Sequence, residues 1–221
     1  MLRIAIADDH KLFRKSLAAL LGTFEGVEVV FETDSGKQFL ELIRSNDIDI
    51  ALLDIQMPEM DGYKLCTGIL KIRPDVKVLM ISQLSSKETI KHVMQSGAHG
   101  FVTKNSEPEQ LELAIRNLDW EGFYLGPELG SVLKDLMLFQ QSPATGDFQP
   151  DHDFLTDREK EIIGLICKGK SSQEIAEDLF IHQRTVETHR QRMITKVGAK
   201  NFIGVIVFAL KHNLLAIEDL T

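Results

Sequence analysis

The sequence is short of three things, and each shortage narrows the field. It holds two cysteines in 221 residues, Cys66 and Cys167. Each sits inside an apolar helical pattern, far from the other, so both read as buried reduced thiols rather than as a disulfide or a zinc site. No apolar run approaches the roughly 20 residues of a membrane span, and Met1 to Asp9 passes directly into a strand pattern without a signal-peptide layout. The expectation is a soluble, cytoplasmic protein with no membrane partner. Positive charge is also scarce, with 25 Lys+Arg against 33 Asp+Glu and a formal net charge of -8. That excludes a chain that is basic overall. It does not exclude nucleic-acid binding, which needs one positive face rather than a positive total.

What remains is ordinary globular composition, 43% hydrophobic and 26% charged, in a chain long enough for two small domains. From residue 2 to about residue 120, β-rich runs alternate with helical patterns, as in a parallel sheet with helices on both faces. The strands read as Leu2 to Ala7, Val27 to Glu32, Asp49 to Leu53, Val76 to Ile81 and Gly100 to Val102, mostly apolar as strands buried on both faces should be. Phe13, Leu17, Leu20 and Leu21 fall at i, i+4, i+7 and i+8 ahead of Gly22 and mark a first amphipathic helix. Further helices are expected near 36–45, 60–72, 86–96 and 107–120. Residues 127–140, opening on Pro127, suggest another helix, and Ser142 to Pro150 reads as linker. Four helices then follow without strands, near 157–168, 172–179, 183–197 and 202–212. The first two open with capping boxes, Thr156-Asp-Arg-Glu159 and Ser171-Ser-Gln-Glu174. The expected division is 1–122 for the first domain, 123–153 for a linker including a helix, and 154–221 for a second, all-α domain. Internal repeats are absent.

In a doubly wound parallel sheet, residues just past the carboxyl ends of neighbouring strands converge on one crevice. Asp8 and Asp9 follow strand one, Asp54 strand three, Ser82 strand four and Lys104 strand five. A lone Asp after a strand is ordinarily a turn or cap residue, and a lone Lys a surface residue. Acid, acid, hydroxyl and ammonium at four strand ends of one sheet are a site. Three carboxylates held together repel one another unless a hard divalent cation sits among them, and Mg2+ suits that role while leaving room for phosphate oxygens.

Residues 1 to 120 resemble a two-component receiver domain. Asp8-Asp9 is similar to its acidic pair, Asp54 in Leu-Leu-Asp54-Ile-Gln-Met-Pro58 to its phosphoacceptor, Ser82 to its switch hydroxyl, and Phe101-Val-Thr-Lys104 to its switch aromatic and lysine. The resemblance implies a five-stranded, flavodoxin-like α/β receiver. It implies that Asp9, Asp54 and the Gln56 carbonyl hold Mg2+, with Asp8 acting mostly through water. It further implies that Asp54 attacks the phosphohistidine of a sensor histidine kinase or a small acyl phosphate, while Lys104 neutralises charge. Phosphorylation is expected to draw in Ser82 and let Phe101 turn inward. Two positions depart from the family, Gln83 where a very small residue is usual and Asn105 where proline is common. An aspartyl-phosphate phosphatase is the enzymatic alternative, but such families generally carry a second acid two residues after the nucleophile, and here that residue is Gln56.

In the second half, a tight Gly169-Lys-Ser-Ser turn between short helices fits a helix-turn-helix whose second helix, 183–197, enters a DNA major groove. It carries Arg184, Arg190, Arg192 and Lys196, with Lys200 beyond, against one acid, Glu187. Val186, Met193 and Val197 recur at i, i+7 and i+11 and face the core. On charge alone a solvated basic helix would serve as well. Leu155-Thr-Asp-Arg-Glu-Lys-Glu-Ile-Ile163, Glu174-Ile-Ala176, Arg184-Thr-Val-Glu-Thr-His-Arg190 and Lys196-Val-Gly-Ala-Lys200 resemble the LuxR-type helix-turn-helix, and the whole chain resembles a NarL/FixJ-type response regulator. The resemblance implies that Glu187, Thr188 and Gln191 read bases, while Ser171, Ser172, Gln183, Arg184, Arg192, Lys196 and Lys200 mostly hold phosphates. His182 stands where the family usually has a capping serine. In the last helix Ile203, Val207 and Phe208 widen the apolar arc past one core's need, so a second copy is expected to cover the excess. The implied protein is a transcription factor, homodimeric when phosphorylated, bound to double-stranded promoter DNA, and not an enzyme beyond its own phosphorylation and dephosphorylation.

Overall fold

A computed structural model describes residues 1–83, 85–127, 154–212 and 214. The chain divides into two compact units, Met1–Gly126 and Pro127–Thr221. In the first, β1 (Leu2–Ala7), β2 (Val27–Thr33), β3 (Ile50–Asp54), β4 (Lys77–Ser82) and β5 (Gly100–Thr103) form one parallel sheet in the order β2-β1-β3-β4-β5. The helices between them are α1 (Lys11–Leu21), α2 (Gly36–Leu42), α3 (Gly62–Ile72), α4 (Lys87–Ser96) and α5 (Pro108–Trp120). Burial falls from the centre of the sheet toward its β2 edge. All five residues of β3, at the centre, are buried, whereas β2 at the edge is mostly half-exposed. Burying Leu52 and Leu53 completely contributes about 1.5–3 kcal/mol each.

Helices α1 and α5 cover one side, where Leu17 and Leu21 meet Ile4, Ile6, Leu111, Ile115 and Leu118 in one core. That core reaches further along the chain than the sequence suggests. Tyr124, assigned to the linker by its position after α5, is 5% exposed, and Phe123 is 7% exposed. The Tyr124 N–H donates to the His99 carbonyl at 2.8 Å, which ties the segment to the start of β5. The first unit therefore continues past residue 122. Of the helix expected over 127–140 only Pro127 is described, and residues 128–153 lie outside the described part.

Helix α3 starts as it does because of Gly62. A Cβ there would stand 2.3 Å from the Asp54 carbonyl oxygen and 2.9 Å from the Ile55 Cα, both backbone atoms that cannot step aside. Asp61 caps the helix by accepting from the Lys64 N–H at 2.8 Å. The bare backbone of Gly62 thus lets α3 press against the end of β3, where Asp54 sits.

The second unit comprises α6 (Asp157–Cys167), α7 (Ser172–Asp178), α8 (Gln183–Val197) and α9 (Phe202–Lys211). Both expected capping boxes form, with Glu159 and Glu174 returning to the N–H groups of Thr156 and Ser171. Gly169, at φ +80°, allows the reversal between α6 and α7. Ile162, Ile163, Ile175, Val186, Met193, Phe202, Val205 and Ile206 form the interior. The apolar excess of α9 is smaller than the sequence suggests. Ile203 is 1% exposed, and Phe208 meets the rings of Phe154 and His212 at 5.4 and 4.3 Å. Among the described residues no single helix is long and apolar enough to cross a membrane.

Candidate phosphoacceptor pocket and DNA-reading helix

The carboxyl ends of β1, β3, β4 and β5 bring the predicted pocket together. Asp54 is the last residue of β3 and pairs in register with Ile81, so Ser82 stands one position beyond it on β4. Asp8, Asp54 and Ser82 are 2%, 3% and 0% exposed. The Lys104 ammonium reaches over from the end of β5, 2.7 Å from Asp8 Oδ2 and 2.8 Å from Asp54 Oδ2. It also lies 4.6 Å over the Phe13 ring, and the Lys104 side chain is 5% exposed. The Gln56 N–H donates to Asp54 Oδ1 at 3.3 Å.

Burial pushes the Asp54 carboxyl above its ordinary range; the Lys104 hydrogen bond opposes this and the Asp8 charge adds to it. Burial alone would lower the Lys104 ammonium, yet its bonds to Asp54 and Asp8 outweigh that and hold it high. One ammonium against three carboxylates leaves a surplus of about two negative charges where Asp8 and Asp54 are almost fully buried. A divalent cation matches that surplus. One further observation fits: Asp9 Oδ1 is buried and accepts no hydrogen bond of ordinary geometry.

Two features of the pocket lie outside the sequence-based assignment. His10 joins the cluster, with Asp8, Asp9, His10 and Asp54 offering donor atoms all within 4.8 Å of one another. Arg14, 8% exposed, donates to the Asp8 carbonyl and lies 3.5 Å from Glu32. The signal for Arg14 was available, since it follows Phe13 on the helix and precedes Leu17 by three, at the margin of the apolar stripe. Phe101, the expected switch aromatic, is fully buried opposite Met80 in the sheet.

In the second unit Gln183, Arg184, Glu187, Thr188, Gln191, Arg192, Lys196 and Lys200 are exposed, the first seven along α8. The His182 side chain makes no cap hydrogen bond, as the missing serine implied, and the helix still begins at Gln183. Two expected phosphate contacts, Ser172 and Lys196, and one further basic residue of the helix, Arg190, make contacts within the domain. Arg190 is 8% exposed, donates to the Ser172 hydroxyl at 2.9 Å and stacks 5.1 Å from the Phe202 ring. Ser172 is itself 2% exposed, so its hydroxyl faces inward rather than toward a phosphate. Lys196 lies 3.1 Å from Glu159, the capping-box acid of α6, and 5.5 Å from the Phe154 ring. Glu159 is held below the ordinary glutamate range, with burial opposed and outweighed by the Thr156 N–H and by Lys196.

A parallel five-stranded sheet with an acid pocket at its carboxyl edge, followed by a helix-turn-helix unit, defines a receiver joined to a DNA-binding output. Residues 4–116 match the response regulator receiver domain, and residues 153–209 match the bacterial regulatory proteins of the luxR family. The oxygen regulatory protein NreC of Staphylococcus epidermidis is 32% identical over 216 residues, covering 97% of this chain and 99% of that protein. The crystal structure of the response regulator ChrA of a heme-sensing two-component system is 28% identical, covers 96% of this chain and 98% of its own, and has a TM-score of 0.51. A structure of the response regulator RcsB with DNA has the same fold at 21% identity and TM-score 0.56, covering 95% and 98% of the two chains. The chain belongs to the two-component response regulators that couple a receiver to a luxR-family DNA-binding domain, which are transcription regulators controlled by phosphorylation.

Proposed function

We propose that Asp54 is the phosphoacceptor and that a sensor histidine kinase is the donor. The observation that carries this reading is the Lys104 ammonium bridging Asp8 and Asp54 at 2.7 and 2.8 Å inside a buried acid pocket. Asp54 supplies the attacking oxygen. Lys104 exchanges its bond to Asp54 for one to the transferred phosphoryl, and the Ser82 hydroxyl approaches the same oxygens. Asp9, Asp54 and the Gln56 carbonyl would hold Mg2+, with Asp8 contributing through water; the ion supplies charge neutralisation while the residues position the donor. The chain then catalyses only its own phosphorylation and dephosphorylation. In the second domain the exposed residues Glu187, Thr188 and Gln191 read bases. Ser171, Gln183, Arg184, Arg192 and Lys200 hold phosphates. Phosphorylation favours a homodimer on paired promoter half-sites.

The test is intact-mass measurement with acetyl phosphate and Mg2+, alongside promoter binding. Wild type gains one phosphoryl group and binds paired half-sites more tightly, while Asp54→Asn does neither. An unchanged mass for wild type, or a gain by Asp54→Asn, would overturn the assignment.

A further inference from the structure

The imidazole of His10 has no role in the transfer just described. It stands at the N-cap position of α1, yet its side chain makes no capping hydrogen bond. Its backbone N–H instead donates to Asp8 Oδ1 at 2.8 Å, which fixes the residue over the pocket. From there Nδ1 lies 3.0 Å from Asp9 Oδ1, 3.6 Å from Asp8 Oδ1 and 3.8 Å from Asp54 Oδ2. Donor atoms sharing an ion at about 2.1 Å stand about 3.0 Å apart at right angles and about 3.4 Å apart in a tetrahedron. The Asp9 distance fits those values as it stands, and the Asp8 and Asp54 distances exceed the larger of them by 0.2 and 0.4 Å.

The oxygens facing His10 are largely those Lys104 leaves aside. Lys104 takes Asp8 Oδ2 and Asp54 Oδ2, whereas His10 faces Asp8 Oδ1 and Asp9 Oδ1 and shares only Asp54 Oδ2. Asp9 Oδ1 is buried and accepts no hydrogen bond of ordinary geometry, although the His10 Nδ1 stands 3.0 Å from it. Two oxygens and an imidazole nitrogen therefore converge on one side of the pocket. The imidazole is 58% exposed, so an ion can reach it from solvent.

We propose that His10 is a metal ligand of this pocket and makes it a site for first-row transition divalent cations such as Zn2+ and Co2+, in addition to Mg2+. The inference rests on the reading of the pocket as a cation site. Mg2+ takes oxygen donors and gains little from an imidazole, whereas Zn2+ and Co2+ bind mixed nitrogen and oxygen sets far better than oxygen alone. An ion held by His10 also touches the oxygens of Asp54, so its occupancy is a second input at the phosphoacceptor. The competing account is that a protonated His10 merely pairs with the carboxylates.

The experiment titrates the full, unphosphorylated chain with Co2+, read by visible absorption, and with Zn2+ and Mg2+, read by calorimetry. Wild type is compared with His10→Ala, His10→Asn and Asp9→Asn. Loss of even a residue that merely supports a ligand typically weakens metal binding about 10–100-fold, so loss of a ligand should cost at least that much. The expected result is a loss of that order for Zn2+ and Co2+, with a changed Co2+ spectrum, in both His10 variants, and a Mg2+ affinity within about threefold of wild type. Unchanged Zn2+ and Co2+ binding in the His10 variants, with Asp9→Asn impaired for every ion, overturns the role of His10 and leaves the pocket intact. If Asp9→Asn binds every ion as wild type does, the pocket itself is misassigned and the proposal falls with it. His10 is exposed, so its variants should fold as wild type does; circular dichroism checks this.

Discussion

His99 gives the most quantitative test of the receiver's interior. It is 5% exposed at the start of β5, and its Nδ1 accepts from the Val78 N–H at 3.1 Å. Burial, aided by the nearby Lys77 charge, lowers its pKa from 6.5 to about 3. The folded chain therefore keeps His99 neutral down to low pH, while the unfolded chain takes up a proton below about 6.5. The unfolded state binds more protons across that window, so stability is complete above pH 6.5 and falls as pH drops toward 3. Between pH 7 and pH 5 this one group costs about 2 kcal/mol, and the figure holds for any folded pKa well below 5. In His99→Asn the side-chain oxygen can still accept from Val78, but nothing titrates. The assay is urea unfolding followed by circular dichroism, with the emission of Trp120, the only tryptophan, placed on α5 of the receiver and 70% exposed, as a second signal. Wild type should lose about 2 kcal/mol more than His99→Asn between pH 7 and pH 5. Parallel pH profiles for the two proteins would refute the argument.

Gly62→Ala should cost the receiver about 1–3 kcal/mol, because the added Cβ meets backbone on β3, and it should slow phosphoryl uptake by Asp54; urea unfolding and intact mass read the two effects. Arg190→Met should lower the stability of the second unit by about 1–3 kcal/mol, removing the donor to a buried Ser172 hydroxyl, while the Trp120 transition stays in place. In promoter binding, Arg184→Ala or Arg192→Ala should each reduce the slope of log affinity against log salt by about 0.9, whereas Lys196→Met should change it by less than half as much because that ammonium already has Glu159 as partner. An equal change for Lys196→Met would show that it leaves Glu159 for DNA.

The receiver was legible because parallel strands covered on both faces must be apolar throughout, and β3 ends such a run on a carboxylate with nothing apolar to recommend it there. The strand limits were less legible. Asp54 and Ser82 belong to β3 and β4 rather than following them, because pairing such as the Ile55 N–H to the Ile81 carbonyl, at 3.2 Å, extends the ladder irrespective of side-chain type. His10 escaped notice because a histidine after two acids has no periodicity to announce it; only the fold turns its nitrogen toward three carboxylates. The DNA-reading helix shows the opposite failure, where the signal was present and outvoted. Arg190 falls between Val186 and Met193 at i+4 and i+7, on the stripe already assigned to the core, yet its charge placed it with the basic face. Lys196 gives no such warning, since Glu159 is 37 positions away and only folding brings the two together. Arg190 is buried, and Lys196, though exposed like Arg184, Arg192 and Lys200, already pairs with Glu159. If that pair holds on DNA, the dependence on salt is weaker than a count of the helix's cations implies, and on the proposed reading more of the recognition falls to Thr188, Gln191 and Glu187.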